Sequence, residues 1–213
     1  MSDVRLPKRF VGLHNHTMFS PFDGLGLPQE HFDYCMQNGL TAHAITEHGN
    51  CGSYAHAQLW VENWNKSNAA NPFKYIPGVE AYFHPDLEQW KRDKLQADAA
   101  RQDAKEAKKL KDKAAKLQTK LVATVDNEDE TEELDMSNSL TIEDEDATKS
   151  NKHFNPVTRR HHLVLLPKNG KGLQKIFSVV SQGYMKGFYR FPRIDTQMLR
   201  DAAQERNIIG TSA

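Results

Sequence analysis

One stretch limits what this chain can fold into more than any other. Residues 86–155 interrupt two patterned regions with some seventy positions that offer little to a hydrophobic core. Glu88–Lys120 is rich in Lys, Ala, Gln and Asp and poor in large apolar side chains. Its high helix propensity and scattered apolar positions predict a long solvated helix or a helical hairpin. Asp126–Asp146 then carries eleven acids and no Lys or Arg. Such a run cannot bury enough apolar surface to order itself and reads as a disordered linker. The basic and acidic segments either fold back on each other or stand as two separate solvated pieces. The core must therefore come from residues 1–85 and 156–213, with 86–155 as an insertion in one domain.

The flanking regions alternate strand and helix. Residues 9–16 read as a first strand. Pro28 opens a helix, because a missing N–H costs nothing in a first turn, and Asn38-Gly39 is a fitting stop. Leu40–Thr46 is a second strand, Ser53–Asn65 a helix, and Phe73–Tyr82 a third strand. Arg159–Leu166 is a fourth strand. Leu173–Tyr184 has helical apolar spacing at 173, 176, 177 and 180. Gly187–Asp195 reads as an aromatic and basic loop, Thr196–Arg206 as a polar helix, and Ile208–Thr211 as the start of another strand. The class is α/β.

Chemistry-bearing residues gather at strand ends, which is where barrels of alternating strands and helices place their sites. In the stretch Leu13–Gly24, His14 and His16 are two apart, so on a strand they face the same way. Asp23 lies in a Pro/Gly-flanked loop that can swing back to them. Imidazole nitrogen with carboxylate oxygen is a ligand set for zinc, iron or manganese, although a chain with ten histidines also produces such spacing by chance. Glu47-His48 ends the second strand. Glu80 sits on a mostly apolar third strand, where a buried acid needs a charge partner or a metal; an Arg partner is the alternative. His43, between apolar neighbours, reads as core or as support for the site.

Lys+Arg and Asp+Glu balance at 28 each, so net charge does not point to nucleic acid. Two cysteines, Cys35 and Cys51, give no disulfide framework. No apolar run is long enough for a membrane span, and the start, MSDVRLPKRF, lacks a signal-peptide core. A reducing cytoplasm is the expected compartment, with no membrane partner.

Five segments stand in one order: HNHT…FDG, ITEHGN, IPGVEAY, RRHHLVLLPKN and GYMKGFYRFPRID. Together they resemble the N-terminal PHP (polymerase and histidinol phosphatase) domain of C-family replicative DNA polymerases, the polymerase III alpha type. The resemblance covers residues 9–84 and 157–213. The SPFDG-LG form and the charged insertion mark a divergent member, of bacterial or viral kind. It implies a distorted (β/α)7 barrel, incomplete at the C-terminus, and two or three divalent ions, Zn, Mn or Fe. The implied ligands, which are also the implied catalytic set, are His14, His16, Asp23, His48, Glu80 and His162. Glu47 stands where the family has Asp. His161, next to His162, turns to the other face of its strand. Three further family ligands, a Cys soon after the Ile-Gly strand and a later Asp-x-His, have no counterpart in these 213 residues.

The resemblance further implies a metal-dependent phosphoesterase centre in a polymerase, with 3′–5′ proofreading exonuclease activity. DNA polymerisation would belong to the parent chain, since no palm domain fits here. Arg159, Arg160, Lys168, Arg190 and Arg193 are candidates for the DNA backbone, or a solvated basic surface. Implied partners are DNA, the remaining polymerase domains, the sliding clamp and a proofreading subunit. Two other readings remain: a non-catalytic, metal-stabilised scaffold domain, and a free-standing phosphatase, against which the GFYRFPRID segment argues.

Overall fold

In the computed structural model, residues 10–123 and 157–213 are described. They fall into two compact units, 1–89 with 159–213 and, separately, 90–158. The acidic run at 126–146 lies outside the described residues.

Helix α1 (Pro28–Gln37) begins with Pro at its first position, and Glu30 reaches back to accept from the backbone N–H of Leu27. It ends at Asn38, and Gly39 takes the left-handed conformation (φ 74°) that closes the turn into β1 (Ala42–His48). Helix α2 (Tyr54–Ser67) leads to β2 (Lys74–Phe83). Strand β1 is buried on both faces along nearly its whole length, as a strand covered on two sides must be. It pairs in parallel with β2, from Ala42 opposite Lys74 to His48 opposite Glu80.

Strand β3 (His161–Pro167) runs antiparallel to β2, with Tyr82 opposite His162. Helix α4 (Gly170–Gly187) is capped by Asn169, whose side chain accepts from Gly172 N at 3.0 Å. The segment expected as a loop instead forms two short strands, β4 (Phe188–Tyr189) and β5 (Phe191–Ile194), around Arg190 at φ 60°. Helix α5 (Thr196–Ala203) is shorter than its polar pattern suggested, and β6 (Ile208–Ser212) pairs antiparallel with β3. The described strands make a mixed sheet, β4-β5-β2-β3-β6, with β1 on β2. This is an α/β fold.

The expected strand over residues 9–16 is absent among the described residues. Two backbone bonds tie this segment to β1, from Ala44 N to Gly12 O and from Thr46 N to Asn15 O. Between them Asn15 spends its side-chain amide on Ala44 O, and its N–H goes to the Thr46 hydroxyl. Side chains thus take the place of a regular ladder.

The long segment after Pro85 is one helix, α3 (Leu87–Ala123), not a hairpin, among the described residues. Side chains 99–117 are all exposed. Within the second unit, Trp90 is buried and its indole N–H donates to Val157 O at 2.9 Å.

The main core joins Phe32, Cys35, Leu40, Ile45, Ala57, Val61 and Phe73, with Trp60, Trp64 and Tyr75 at its margin. His43 lies beside it, 7% exposed, its Nδ1 3.4 Å from Cys35 Sγ. Burial, helped by the nearby His31, lowers the His43 pKa to about 4. An unfolded histidine near 6.5 binds its proton first, so stability from this group is complete above pH 6.5 and is lost as pH falls towards 4. Urea unfolding at pH 7 and pH 4.5 should show His43→Leu losing about 2 kcal/mol less than wild type over that interval. Parallel losses in the two proteins would contradict this.

Candidate metal centre

The site is built at one end of the sheet. Strand β1 ends in Glu47-His48, β2 brings Glu80 alongside, and the antiparallel β3 starts there with His162. The segment before α1 supplies His14, His16 and Asp23. Glu80 is the hub. It is 2% exposed, and its Oε2 lies 2.7 Å from His14 Nε2, 2.8 Å from His16 Nε2 and 3.3 Å from His48 Nδ1. His162 Nδ1 contacts Oε1 of the same carboxylate. Asp23 Oδ2 meets His48 Nε2 at 2.6 Å. All six of the residues singled out above therefore come together.

The rings are stacked in order. His16 lies on His48 with centroids 4.2 Å apart, and His48 lies on Tyr82 at 5.7 Å. Burial pushes the Glu80 carboxyl up, but hydrogen bonds with His16, His14 and His162 and the charge of His48 hold it well below the usual carboxylate range. Burial opposes charge on His16, yet Glu80, with smaller pulls from Asp23 and Glu47, raises its pKa. The hydrogen bond with His48 lowers that of Asp23.

Three overlapping triads form: His14, His16 and Glu80; His16, Asp23 and His48; His48, Glu80 and His162. Within each, the donor atoms lie within 4.8 Å of one another. Ligands about 2.0–2.2 Å from a shared ion lie at up to about 4.4 Å from each other, so the spacing suits a metal. A further observation agrees. His48 Nδ1 is buried without a hydrogen-bond partner, although it faces Glu80. Buried nitrogens are rarely left so, and an ion between them would use the lone pair. The donor set fits a divalent metal.

Sequence reasoning passed over Ser20 and Thr17. Both are fully buried, and both donate to Glu47, itself 1% exposed. The signal was a buried acid, Glu47, on the strand β1 with no Lys or Arg beside it in sequence to pair with. The loop they belong to is tight: Asp23 N and Gly24 N both donate to Ser20 O, and a Cβ on Gly24 would sit 1.9 Å from Thr17 O.

The basic residues fare differently. Arg160 lies 4.2 Å over the Phe191 ring and 5.1 Å over that of Tyr82, one ring removed from His48. Arg159 and Arg190 are exposed. Lys168 follows the opposite end of β3 from His162, about 20 Å of strand away. Arg193 corrects an expectation. It is 1% exposed, and its Nη1 donates to Tyr189 O at 2.7 Å and Phe191 O at 3.1 Å. Its guanidinium closes the β4–β5 turn and cannot reach a DNA backbone.

The pattern of the PHP domain matches residues 12–213. The chain belongs to the PHP domain family. Its PHP domain is similar to part of the DNA polymerase III subunit alpha of Aquifex aeolicus, 29% identical over 195 residues, which are 91% of this chain and 11% of that protein. The subunit alpha of Campylobacter jejuni is 24% identical over 196 residues, 92% of this chain and 10% of the relative. A 43-residue match to that of Thermus aquaticus is 46% identical and covers 20% of this chain and 4% of the relative. The PHP domain thus spans about a tenth of the length of the relatives it matches over most of its own. Among the described residues no helix is long and apolar enough to cross a membrane.

Proposed function

We propose that this chain is the metal-dependent phosphoesterase part of a replicative DNA polymerase of the polymerase III alpha type. In DNA replication it hydrolyses phosphodiesters at a DNA 3′ end. The observation that carries this reading is Glu80, a buried carboxylate ringed by four imidazoles. His14, His16, Asp23, His48, Glu80 and His162 hold two or three divalent ions, zinc, manganese or iron. Bound there, such ions lower the pKa of water and neutralise phosphate oxygens.

The protein's own groups do the rest. Glu80 stands among the imidazoles, sharing the ions with them and fixing where their nitrogens point. Asp23, 57% exposed on its loop, closes the solvent side. Arg160, held on its aromatic ledge, meets a backbone phosphate beside the centre, and Arg159 and Arg190 extend that contact outwards. The mixed sheet is part of the family's seven-stranded barrel, and residues 86–155 are an insertion in it. Polymerisation lies in other domains of a longer cytoplasmic protein, and those domains, the sliding clamp and a proofreading subunit are its partners.

The test is a 3′-end-labelled DNA incubated with the parent polymerase. Nucleotide release should depend on added Mn²⁺ or Zn²⁺ and stop on chelation, while a palm-domain inactive variant should still release nucleotides. Metal bound without any release would sink the hydrolytic reading and leave a metal-stabilised scaffold.

A further inference from the structure

We propose that Ser20 and Glu47 are positioning residues that fix the proton of His16 on Nδ1, so that Nε2 offers its lone pair to the metal. The inference rests on the metal-centre reading above.

Proton counting around one hydroxyl carries it. Ser20 Oγ has three partners: a carboxylate oxygen of Glu47, the backbone N–H of His48 at 3.0 Å and Nδ1 of His16 at 3.1 Å. A hydroxyl owns one proton and two acceptor lone pairs. The carboxylate can only accept, so it takes the hydroxyl proton. The His48 N–H can only donate, so it fills one lone pair. His16 Nδ1 must then donate to the other. With its neutral-state proton committed there, the ring can give up only the second proton, the one Nε2 shares with Glu80 when no metal is bound, and a metal that replaces it meets a bare Nε2. Nε2 is the nitrogen that stands in the cluster, 2.8 Å from Glu80 Oε2 and 3.1 Å from His14 Nε2.

Glu47 is held so that it cannot turn away. Thr17 donates to it twice, from its N–H at 3.2 Å and from its hydroxyl. Thr17, Ser20 and Glu47 are all buried, and water does not compete for these bonds. The same Ser20 also anchors, through its carbonyl, the N–H of Asp23. One buried acid thus orients the ring of one ligand and the loop of another. The neighbouring carboxylate of Glu80, by contrast, touches the imidazoles directly.

The experiment uses the 213-residue chain and Zn²⁺ alone. Zinc affinity is measured by chelator competition, and the imidazole nitrogens are followed by ¹⁵N NMR in the zinc-loaded wild type. His16 should bind through Nε2 and show a slowly exchanging proton on Nδ1. Ser20→Ala should weaken zinc by about 10- to 100-fold, the usual cost of losing a partner behind a ligand. Glu47→Gln should do likewise, because its amide can donate to Ser20 and send the hydroxyl proton to His16 Nδ1. Glu47→Asp keeps an acceptor and should recover part of the loss. Zinc-free melting curves identify a variant that does not fold, and the wild-type NMR signal needs no variant. Zinc held through His16 Nδ1, a Ser20→Ala protein with wild-type affinity, or Glu47→Asp no better than Glu47→Gln would each overturn this inference alone. A wild type that binds no zinc overturns the metal centre and this inference with it.

Discussion

Glu80→Gln is expected to abolish the proposed metal binding of the PHP domain while leaving it folded. The substitution keeps the size of the side chain and removes its charge. Glu80 stands across from His48 in the β1–β2 ladder and from Val164 in the β2–β3 ladder, so the backbone holds its position whatever the side chain carries. A glutamine amide would turn a donor or a weaker acceptor towards four imidazoles. Loss of a group behind a ligand typically costs about 10- to 100-fold in affinity, and loss of the central carboxylate should exceed about 100-fold. Zinc titration against a chelator measures it directly. A second reading comes from the same protein without metal. The raised pKa of His16 depends on Glu80, with burial opposing it. In Glu80→Gln the opposition is left largely unanswered, so the His16 titration seen by NMR should move down in pH. Wild-type zinc affinity, or an unmoved His16 titration, would remove Glu80 from the centre of the site.

How far the sequence could be read depended on the range of the interactions involved. The strands β1 and β2 were visible as short, mostly apolar runs, and Glu80 stood out against the second of them; their pairing and register were not. The His14–His16 pairing was legible for a geometric reason that survived the loss of its premise. The segment is not a strand, yet Asn15 ties itself to β1 on one side and both Nε2 atoms end 3.1 Å apart on the other. The β4–β5 turn was hidden although its contacts are local, two and four residues apart in sequence. Arg193 enters the interior and satisfies the carbonyls of Tyr189 and Phe191, which basic and aromatic composition alone does not reveal. The role of Ser20 was hidden likewise. A serine beside a proline reads as a turn former, and only the fold brings Glu47 to it across a sequence separation of 27.

Phe32→Ala should destabilise the first unit by about 3–5 kcal/mol, the range for truncating a fully buried aromatic. Phe32 is 0% exposed. Its ring centroid lies 5.3 Å from that of Phe73, 5.6 Å from Trp60 and 5.6 Å from Tyr75, so it joins α1, α2 and β2. Large neighbouring rings collapse poorly into a gap, which argues for the upper part of that range. Domains of this size have about 5–15 kcal/mol in all, so the variant should unfold at much lower urea than wild type. Helix α1 carries none of the six clustered residues, and its loss of packing reaches the metal only through the folded population. Metal binds the folded state alone, so zinc at about 100 times its dissociation constant should restore about 2.7 kcal/mol to Phe32→Ala. The same zinc concentration, no higher than the dissociation constant of a variant weakened about 100-fold, should restore at most about 0.4 kcal/mol to Glu80→Gln. A Phe32→Ala protein within about 1 kcal/mol of wild type would show that this core does not hold α1 to the sheet. One that zinc failed to rescue would show that α1 shapes the centre itself.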